Sequence, residues 1–301
     1  MIIALGDAML DIVMRSRRPV RRGGHSLMHA EVSAGGSAAN FAVWAARLGA
    51  EVALMAKVGD DLVGRALLLS LAQEGVLSAV STDEQTTGLT LALEESDGGR
   101  TMLAARGANA ALSIDDLNWE MIDRADLVHV SGYSFLEDAP RGAAIAAMVR
   151  VKRHGGLVSL DPSAHSYLQR VGASAFLDLS KDADIFLPNL EEGRALTGEL
   201  EPHRVLRALL ERFPVVALKM GPDGAMAGAG STTKRHRGFE VPVEDAAGAG
   251  DAFAAAFTVS WLAHRDLGAA LREGNRIGAS VVQTAGAQRF KAVPRDSLPR
   301  Q

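Results

Sequence analysis

The segment DAAGAGDAFAAAF, from Asp245 to Phe257, is the most informative stretch of this chain. Glycine and alanine alternate up to Asp251, and an apolar run typical of a buried helix follows. Small residues that lead into a helix leave backbone N–H groups unobstructed, and together with the helix dipole these groups favour a bound anion such as phosphate. The segment therefore predicts an anion site at a helix N-terminus.

The carboxylate of Asp251 stands beside this predicted anion site, although like charges repel. One interpretation is that Asp251 accepts a proton from an attacking hydroxyl group. The other is that it stabilises the positive end of the helix dipole, which is worth about 0.3–1 kcal/mol. The segment taken alone supports both interpretations equally.

Along the rest of the chain, short apolar runs alternate with longer helical patterns. The runs end in Gly, Pro, Asp or Asn, as in DLVHVSGY at 126–133 and PVVALKMG at 214–221, and MIIALGDAML at 1–10 and EVALMAKVGD at 51–60 each predict one strand. Continuous apolar strands separated by helices indicate a mainly parallel central sheet covered by helices on both faces. In such α/β folds ligands bind beyond the carboxyl ends of the strands.

Two segments depart from this alternation, at residues 11–34 and 86–106. Both are more polar, and the second predicts a hairpin that turns at SDGG, residues 96–99. We expect the two segments to form a small β-sheet lid. Because no linker or repeat divides the chain, we expect one domain over residues 1–301.

Composition narrows the function. The 301 residues carry a formal charge of −4 and no cysteine. This composition excludes disulfides, thiol catalysis and cysteine-bound zinc, and it gives no reason to expect nucleic-acid binding. The scattered histidines predict no transition metal. Without a basic leader or an uninterrupted apolar run long enough to span a bilayer, we expect a cytoplasmic protein with no membrane partner.

Two further polar clusters come early in the chain. Gly35 and Gly36 precede a helix that carries Asn40; the glycines would let the backbone approach a ligand, and Asn40 could bind a hydroxyl group. A flexible entry to a buried helix is the plainer interpretation. Asp11 interrupts an apolar strand, so it either binds something polar or ends the strand in solvent.

Two more clusters follow later. In PNLEE, at 188–192, Asn189 and Glu192 have the spacing of a helix capping box, and the same oxygens could hold Mg²⁺ through water. Lys219, Gly221 and Gly224 belong to a strand-turn-strand pattern that could cover a nucleotide or form a plain hairpin.

Taken together and in this order, the clusters resemble the PfkB/ribokinase family of carbohydrate kinases. DAAGAGDAFAAAF is similar to the C-terminal signature of that family, and the stretch GGSAANFAVWAARLGAEVALMAKVGDDLVG at 35–64 is similar to its N-terminal signature. PNLEE matches its Asn-x-x-Glu motif, and the resemblance extends from Asp11 to about Gly286. It implies a Rossmann-like, three-layer α/β fold with a mainly parallel central sheet and a small β-sheet lid.

The resemblance also implies roles for individual residues. Asp251 would be the catalytic base, next to an anion hole made by the backbone of Ala247, Gly248, Ala249 and Gly250. The sugar hydroxyls would be bound by Asp11, Gly35, Gly36 and Asn40.

For the cofactors, the resemblance implies ATP and Mg²⁺. Asn189 and Glu192 would organise Mg²⁺ and phosphate. The residues on the ATP side would be Asn189, Lys219, Gly221, Gly224 and Asn275. Asp245, Ala247 and Gly286 match a region in which relatives bind a monovalent cation such as K⁺.

The predicted reaction is the ATP-dependent phosphorylation of a terminal hydroxyl group of a small sugar. The basic segment RSRRPVRRGGH, at 15–25, is best interpreted as a solvated loop. It could instead attract an anionic substrate such as 2-keto-3-deoxygluconate or a sugar phosphate, with Arg106 acting to the same end.

Three alternatives stay open at this point. A nucleoside substrate is less favoured, because neither lid segment contains an aromatic residue on which a base could stack. A non-catalytic sugar- or nucleotide-binding regulator could share the same fold. The exposed strand edges of the lid are compatible with a homodimer through the lid or with a monomer.

Overall fold

The computed structural model describes residues 1–16, 20, 23–94, 99–163, 168, 171–283 and 288–289. Within these residues, nine strands form the main sheet in the order β15-β14-β13-β12-β11-β10-β1-β4-β6. All neighbours pair in parallel except β13 with β14 and β14 with β15. The strands of this sheet are β1 Ile2–Leu5, β4 Val52–Met55, β6 Leu77–Ser78, β10 Leu127–Ser131, β11 Leu157–Asp161, β12 Ile185–Phe186, β13 Val215–Lys219, β14 Ala225–Ala229 and β15 Thr232–His236.

The lid is a separate five-stranded sheet in the order β16-β3-β2-β8-β9. Its strands are β2 Met9–Arg15, β3 His29–Gly35, β8 Gly88–Glu94, β9 Arg100–Ala105 and β16 Gln288–Arg289. β8 and β9 pair antiparallel, as expected for a hairpin, although the SDGG turn falls partly outside the described residues. A two-stranded sheet joins β5 Lys57–Gly59 and β7 Ser81–Asp83.

Helices cover both faces of the main sheet because the central strands bury mainly apolar side chains on both sides. In β1, Ile2 and Ala4 pack on one face and Ile3 and Leu5 on the other. The helices in chain order are α1 Ser37–Arg47, α2 Leu62–Gln73, α3 Trp119–Asp123, α4 Asp138–Arg153, α5 Ala173–Leu179, α6 Leu190–Thr197, α7 Pro202–Leu210, α8 Ala249–His264 and α9 Leu267–Val281.

The first face is covered by α1, α8 and α9, which also pack against one another. The second face is covered by α4 and α7, together with the shorter helices around them. This is a three-layer α/β arrangement with a separate small sheet, so the predicted fold class is confirmed. That residues 1–301 form a single domain stays a prediction. None of the helices in the described ranges is long and apolar enough to cross a membrane.

Two of the predicted strands are each divided between two sheets. MIIALGDAML becomes β1 in the main sheet and the start of β2 in the lid, with the break at Gly6 and Asp7. Gly6 has φ +149°, and a Cβ atom there would come within 3.0 Å of the Ser131 Cβ. EVALMAKVGD likewise divides into β4 and β5, which belong to different sheets. The divisions place polar residues at the carboxyl edge of the main sheet.

A buried asparagine helps to join the lid to the main sheet. Asn109 lies in a 3₁₀ turn, Gly107–Ala111, just after β9. Its Oδ1 accepts from the Ala8 N–H at 2.9 Å, and its Nδ2 donates to the carbonyl oxygens of Ala8 at 3.0 Å and Arg106 at 3.1 Å. The connection from β1 to β2 and the segment that follows β9 are therefore held together by one amide group.

We expect Asn109→Ala to lower the free energy of unfolding by about 2 kcal/mol or more, because it leaves buried backbone groups of Ala8 without a partner. Denaturant unfolding measures this loss. The matched control is Asn118→Ala, which removes an exposed helix cap of α3 and should cost about 1 kcal/mol. Equal losses in the two variants would contradict the role of Asn109.

Candidate active site

The small-residue segment adopts the backbone that the sequence predicts. Gly248 has φ +74° and immediately precedes α8, and among the described residues no side chain caps this helix N-terminus. The N–H of Ala247 donates to the Asp245 Oδ1 at 3.0 Å, which folds the preceding turn. The first turn of α8, with Ala249 and Gly250, therefore presents backbone rather than side chains to a ligand.

Asp251 lies in this first turn, where the N-terminus of α1 meets that of α8. Its Oδ1 accepts a hydrogen bond from the Ser37 Oγ at 2.8 Å, and its Oδ2 accepts one from the Asn40 Nδ2 at 2.8 Å. Each carboxylate oxygen is therefore oriented by one donor. Ser37 was missed by the sequence analysis, although it occupies the first position of a helix whose glycine-rich entry had been singled out.

The two glycines before α1 are required by close contacts. Gly36 has φ +94°, and a Cβ atom there would lie 2.4 Å from the carbonyl oxygen of Asp7. A Cβ atom on Gly35 would lie 2.0 Å from the Oδ2 of Asp11. The pair thus brings the lid strand β3, the end of β1 and helix α1 together at one point, which excludes a merely flexible entry to the helix.

An ion pair lies at the carboxyl edge of the main sheet, close to Asp251. Lys219 ends β13, Asp161 ends β11, and the Lys219 Nζ donates to the Asp161 Oδ2. Burial, followed by the nearby charge of Asp161, raises the pKa of Asp251 to about 7. Asp161 was not singled out, although it ends the apolar run GGLVSLDPS, where a polar strand end signals a site.

Asn189 and Glu192 form the predicted capping box at the start of α6. The Asn189 N–H donates to the Glu192 Oε2 at 2.7 Å, and the Glu192 N–H donates to the Asn189 Oδ1 at 2.9 Å. Glu192 is buried, and burial raises the pKa of its carboxyl group to about 7. The cap also lies next to the ion pair, because Asn189 forms an isolated β-bridge with Lys219.

On the lid side, Asp11 projects from β2 next to Thr90 of the neighbouring strand β8. Burial raises the pKa of Asp11 to about 6, while a hydrogen bond from Thr90 lowers it and the charge of Asp245 raises it. Because the charge of Asp245 acts on Asp11, the lid strand β2 lies near the turn before α8. Asp11 is therefore a partly buried carboxylate rather than a strand end in open solvent.

The Arg106 side chain forms hydrogen bonds with three other residues of the protein. Its guanidinium donates to the Asp7 Oδ1 at 2.6 Å, the Glu137 Oε2 at 2.5 Å and the Tyr133 carbonyl oxygen at 2.7 Å. Arg15 is similarly paired with Glu31 and Glu94. The other arginines of the basic segment lie outside the described residues: Arg17, Arg18, Arg21 and Arg22.

The remaining candidates on the nucleotide side cluster around the end of β15. The Asn275 Nδ2 lies 2.9 Å from the His236 Nδ1 and donates to the His236 carbonyl oxygen at 3.1 Å. A Cβ atom on Gly224 would lie 2.1 Å from that same oxygen, and Gly221 opens the turn between β13 and β14 with φ +59°. Gly286 lies outside the described residues.

The chain is similar to known proteins along most of its length. The family model of the pfkB family carbohydrate kinases matches residues 1–293. The chain is 33% identical to the ATP-dependent ribose-1-phosphate kinase of Halopiger xanaduensis over 97% of this chain and 94% of that protein. It is 32% identical to the 2-dehydro-3-deoxygluconokinase of Bacillus subtilis, over 83% of this chain and 81% of that protein.

A solved structure shows the same fold. The putative ribokinase II of E. coli, crystallised in complex with ATP and Mg²⁺, superposes with a TM-score of 0.86. It is 24% identical and covers 95% of this chain and 94% of that chain.

The raised pKa of Asp251 predicts a specific pH dependence of stability. Between about pH 4 and pH 7 the folded protein holds a proton on this group that the unfolded chain has released, so its contribution to stability falls as pH rises through that window. We therefore expect the melting temperature of Asp251→Asn, relative to wild type, to be higher at pH 8 than at pH 5.

Asp266→Asn provides the matched control. Asp266 is an exposed helix cap whose backbone hydrogen bonds lower its pKa, so it is ionised at both pH values. Its effect on the melting temperature should be the same at pH 5 and pH 8. A pH-independent effect of Asp251→Asn as well would show that Asp251 does not titrate in this window.

Proposed function

Because the chain belongs to the pfkB family of carbohydrate kinases and is a phosphotransferase with an alcohol group as acceptor, we propose that it phosphorylates a terminal hydroxyl group of a small sugar with ATP. The observation that carries the proposal is the Asp251 carboxylate, oriented by Ser37 and Asn40 at the uncapped N-terminus of α8. A base and an anion site are adjacent there, as transfer of a phosphoryl group to a hydroxyl group requires.

In the proposed mechanism, the sugar lies between the lid and α8. Asp11, Gly35, Gly36 and Asn40 bind its hydroxyl groups. Asp251 takes the proton of the attacking hydroxyl group, whose oxygen forms the new bond to the γ-phosphorus of ATP. The bond from that phosphorus to the bridging oxygen of the β-phosphate breaks, and ADP leaves. The backbone of Ala247, Gly248, Ala249 and Gly250 stabilises the negative charge that develops on the phosphoryl oxygens. The lid limits access of water, which would otherwise hydrolyse ATP.

On the nucleotide side, we propose that Asn189, Lys219, Gly221, Gly224 and Asn275 line the ATP site. The requirement for ATP is supported by the relative that is named an ATP-dependent kinase. The cluster formed by Gly224, Asn275 and the end of β15 would hold the part of the nucleotide away from Asp251. Asn275 donates to His236 at the end of β15, whereas the charge of Lys219 acts on Asp251.

Asn189 and Glu192 would hold Mg²⁺ through water. In the described residues there is no group of three acidic or histidine side chains that could bind a metal alone, which fits an ion bound largely by phosphate and water. The buried Glu192, whose pKa is raised, fits a site that gains a cation. When bound, Mg²⁺ would neutralise part of the negative charge of the phosphate groups.

A monovalent cation such as K⁺ would bind at Asp245 and Ala247, together with Gly286. The proposal is supported by the Asp245 carboxylate, which is buried and accepts a hydrogen bond from the Ala247 N–H in the turn before the anion hole.

Two arginine positions favour a neutral sugar. Arg106 is neutralised by Asp7 and Glu137, and Arg15 by Glu31 and Glu94. An anionic substrate would have to displace these carboxylates or use other cations, and Asp11 would repel it.

An anionic sugar is the second candidate. The two relatives that share 33% and 32% identity with the chain are named for ribose 1-phosphate and 2-dehydro-3-deoxygluconate, both of which carry negative charge. A nucleoside is disfavoured by the lack of aromatic residues in the lid segments. A non-catalytic regulator is set aside, because the chain belongs to a family of phosphotransferases.

The test is a coupled ADP-release assay with ATP and Mg²⁺, with and without K⁺. The acceptors are ribose, fructose, 2-keto-3-deoxygluconate, ribose 1-phosphate, fructose phosphates and adenosine. We expect the highest kcat/KM for a neutral sugar. A higher value for a sugar acid or a sugar phosphate would replace the first candidate by the second, and turnover of adenosine alone would contradict both.

In the same assay, Asp251→Asn should lower kcat by about 100-fold or more, because a neutral amide cannot accept the proton. ATP affinity, measured by calorimetry, should remain close to that of wild type. Asp266→Asn makes the same chemical change at the N-cap of α9 and should leave kcat unchanged. Near-normal turnover by Asp251→Asn would overturn the assignment of the base.

We also propose that the protein forms a homodimer through the lid. Ile12 pairs with Val32 and Leu91, and Leu91 pairs with Leu103, so the four side chains form an apolar row across four strands. Because neighbouring residues of a strand point to opposite faces, this row lies on the face away from Asp11. Val32 and Leu103 are half exposed, and a second lid would cover them.

Leu103→Arg should therefore convert the dimer into a monomer, because the interface would have to bury an unpaired charge. Light scattering coupled to size-exclusion chromatography measures the mass. Leu200→Arg, an equal substitution at an exposed leucine outside the lid, should leave the dimer intact. A monomeric wild-type protein, or a dimeric Leu103→Arg variant, would contradict the proposal.

A further inference from the structure

The ion pair between Lys219 and Asp161 is buried at the carboxyl edge of the main sheet. The Lys219 side chain is 12% exposed, and that of Asp161 is 4% exposed. Removing two charges from water costs about as much as their attraction returns, so a buried pair often adds nothing to stability. Its position in the fold is the more informative property.

The ammonium group of Lys219 lies at the anion hole. A Cβ atom placed on Gly250 would be 3.5 Å from the Lys219 Nζ, and Gly250 belongs to the first turn of α8. The positive charge of Lys219 therefore lies beside the backbone to which the proposed phosphoryl group binds. It reaches this position because β13 ends at the carboxyl edge of the sheet, directly below α8.

The surroundings of this ammonium group are strongly acidic. Its charge acts on Asp161, Glu192 and Asp251 together. A phosphoryl group that entered the site would add further negative charge next to these three carboxyl groups. An ammonium group has three donors, and the Asp161 Oδ2 accepts one of them.

Asp161 is itself held by a strained turn. The Ser163 N–H donates to the Asp161 Oδ1 at 3.2 Å, and the Ser163 Oγ donates to the Asp161 carbonyl oxygen at 3.0 Å. Ser163 has φ +79°, in the left-handed region that a serine rarely adopts. The Gly132 N–H donates to the Ser163 Oγ at 3.1 Å, which fixes the turn against β10. The strained backbone at Ser163 is therefore part of the turn that orients the Asp161 carboxylate.

We propose that Lys219 donates a hydrogen bond to the transferring phosphoryl group, and that Asp161 is the positioning residue that holds the Lys219 ammonium group beside the anion hole. This inference rests on the proposed phosphoryl-transfer site at α8. It goes further in giving Lys219 a contact with the reacting group rather than with the nucleotide side in general. Lysine suits this role, because its flexible stem carries a compact charge that can share donors between a carboxylate and a phosphate.

The test compares two nucleotides that differ in the terminal phosphoryl group. Calorimetry with Mg²⁺ and without sugar measures the affinities of ADP and the ATP analogue AMP-PNP for the wild type, Lys219→Met and Lys219→Arg. In Lys219→Met, we expect AMP-PNP to bind about tenfold more weakly or worse, with ADP within about twofold of wild type, because the lost contact is a charge-assisted hydrogen bond to the terminal group. Lys219→Arg should restore part of the loss.

Lys57→Met is the matched control. Lys57 is 13% exposed and pairs with Asp116 and Asp83, away from α8. Its loss should lower the melting temperature but leave the affinities of both nucleotides unchanged. If Lys219→Met fails to fold because Asp161 is left unpaired, the double variant Lys219→Met/Asp161→Asn removes both charges and carries the same expectation.

Asp161→Asn tests the positioning role. With the ammonium group no longer anchored, we expect Asp161→Asn to weaken AMP-PNP binding by about threefold or more with ADP within about twofold of wild type, and to lower kcat/KM for ATP. Wild-type affinity for AMP-PNP, or equal losses of AMP-PNP and ADP affinity, would overturn the role of Asp161.

The outcomes for Lys219 are separable from those for the substrate. Equal losses of ADP and AMP-PNP affinity, or no loss of either, would overturn the contact even if the wild type phosphorylates a sugar. A selective loss of AMP-PNP affinity would support the contact even if every sugar in the panel fails.

Discussion

Two hydrogen bonds to the Asp251 carboxylate connect the parts of this molecule that form its site. The donors, Ser37 and Asn40, lie 214 and 211 residues before Asp251 in the chain. They can reach it only because α1 starts directly at the carboxyl edge of the sheet, where Gly36 passes within contact distance of the Asp7 backbone. This close approach therefore fixes three features together: the orientation of the proposed base, the start of α1 and the position of the lid.

The same edge concentrates negative charge in a buried place. Burial raises the pKa of Asp251 and Glu192 to about 7 and that of Asp11 to about 6. In the folded chain these carboxyl groups therefore ionise close to neutral pH. Such a cluster costs folding free energy unless cations offset it. Lys219 supplies one positive charge, and the proposed Mg²⁺ and anion hole explain why the rest of the cost is tolerated at this site.

Much of this arrangement was predictable from short stretches of sequence. The alternation of apolar runs and helical patterns predicted a parallel sheet covered by helices on both faces, and the two segments that depart from it predicted the small β-sheet lid. The spacing in PNLEE predicted the capping box between Asn189 and Glu192. The alternation failed where one apolar run serves two sheets. β1 and β2 are separated by Gly6, and a local pattern carries no information about which sheet a strand joins.

The sequence by itself determined two parts of the backbone of the site, the turn at Gly248 and the start of α6, because the effects of glycine and of capping residues are local. The glycine pair before α1 is instead required by contacts with Asp7 and Asp11. Only the tertiary structure decided the partners of the charged side chains. Arg106 is bound by Asp7 and Glu137, and Lys219 by Asp161, through contacts between strands and helices distant in sequence. The partner of a charge depends on which strand ends meet at the sheet edge, and that is set by packing rather than by any one segment.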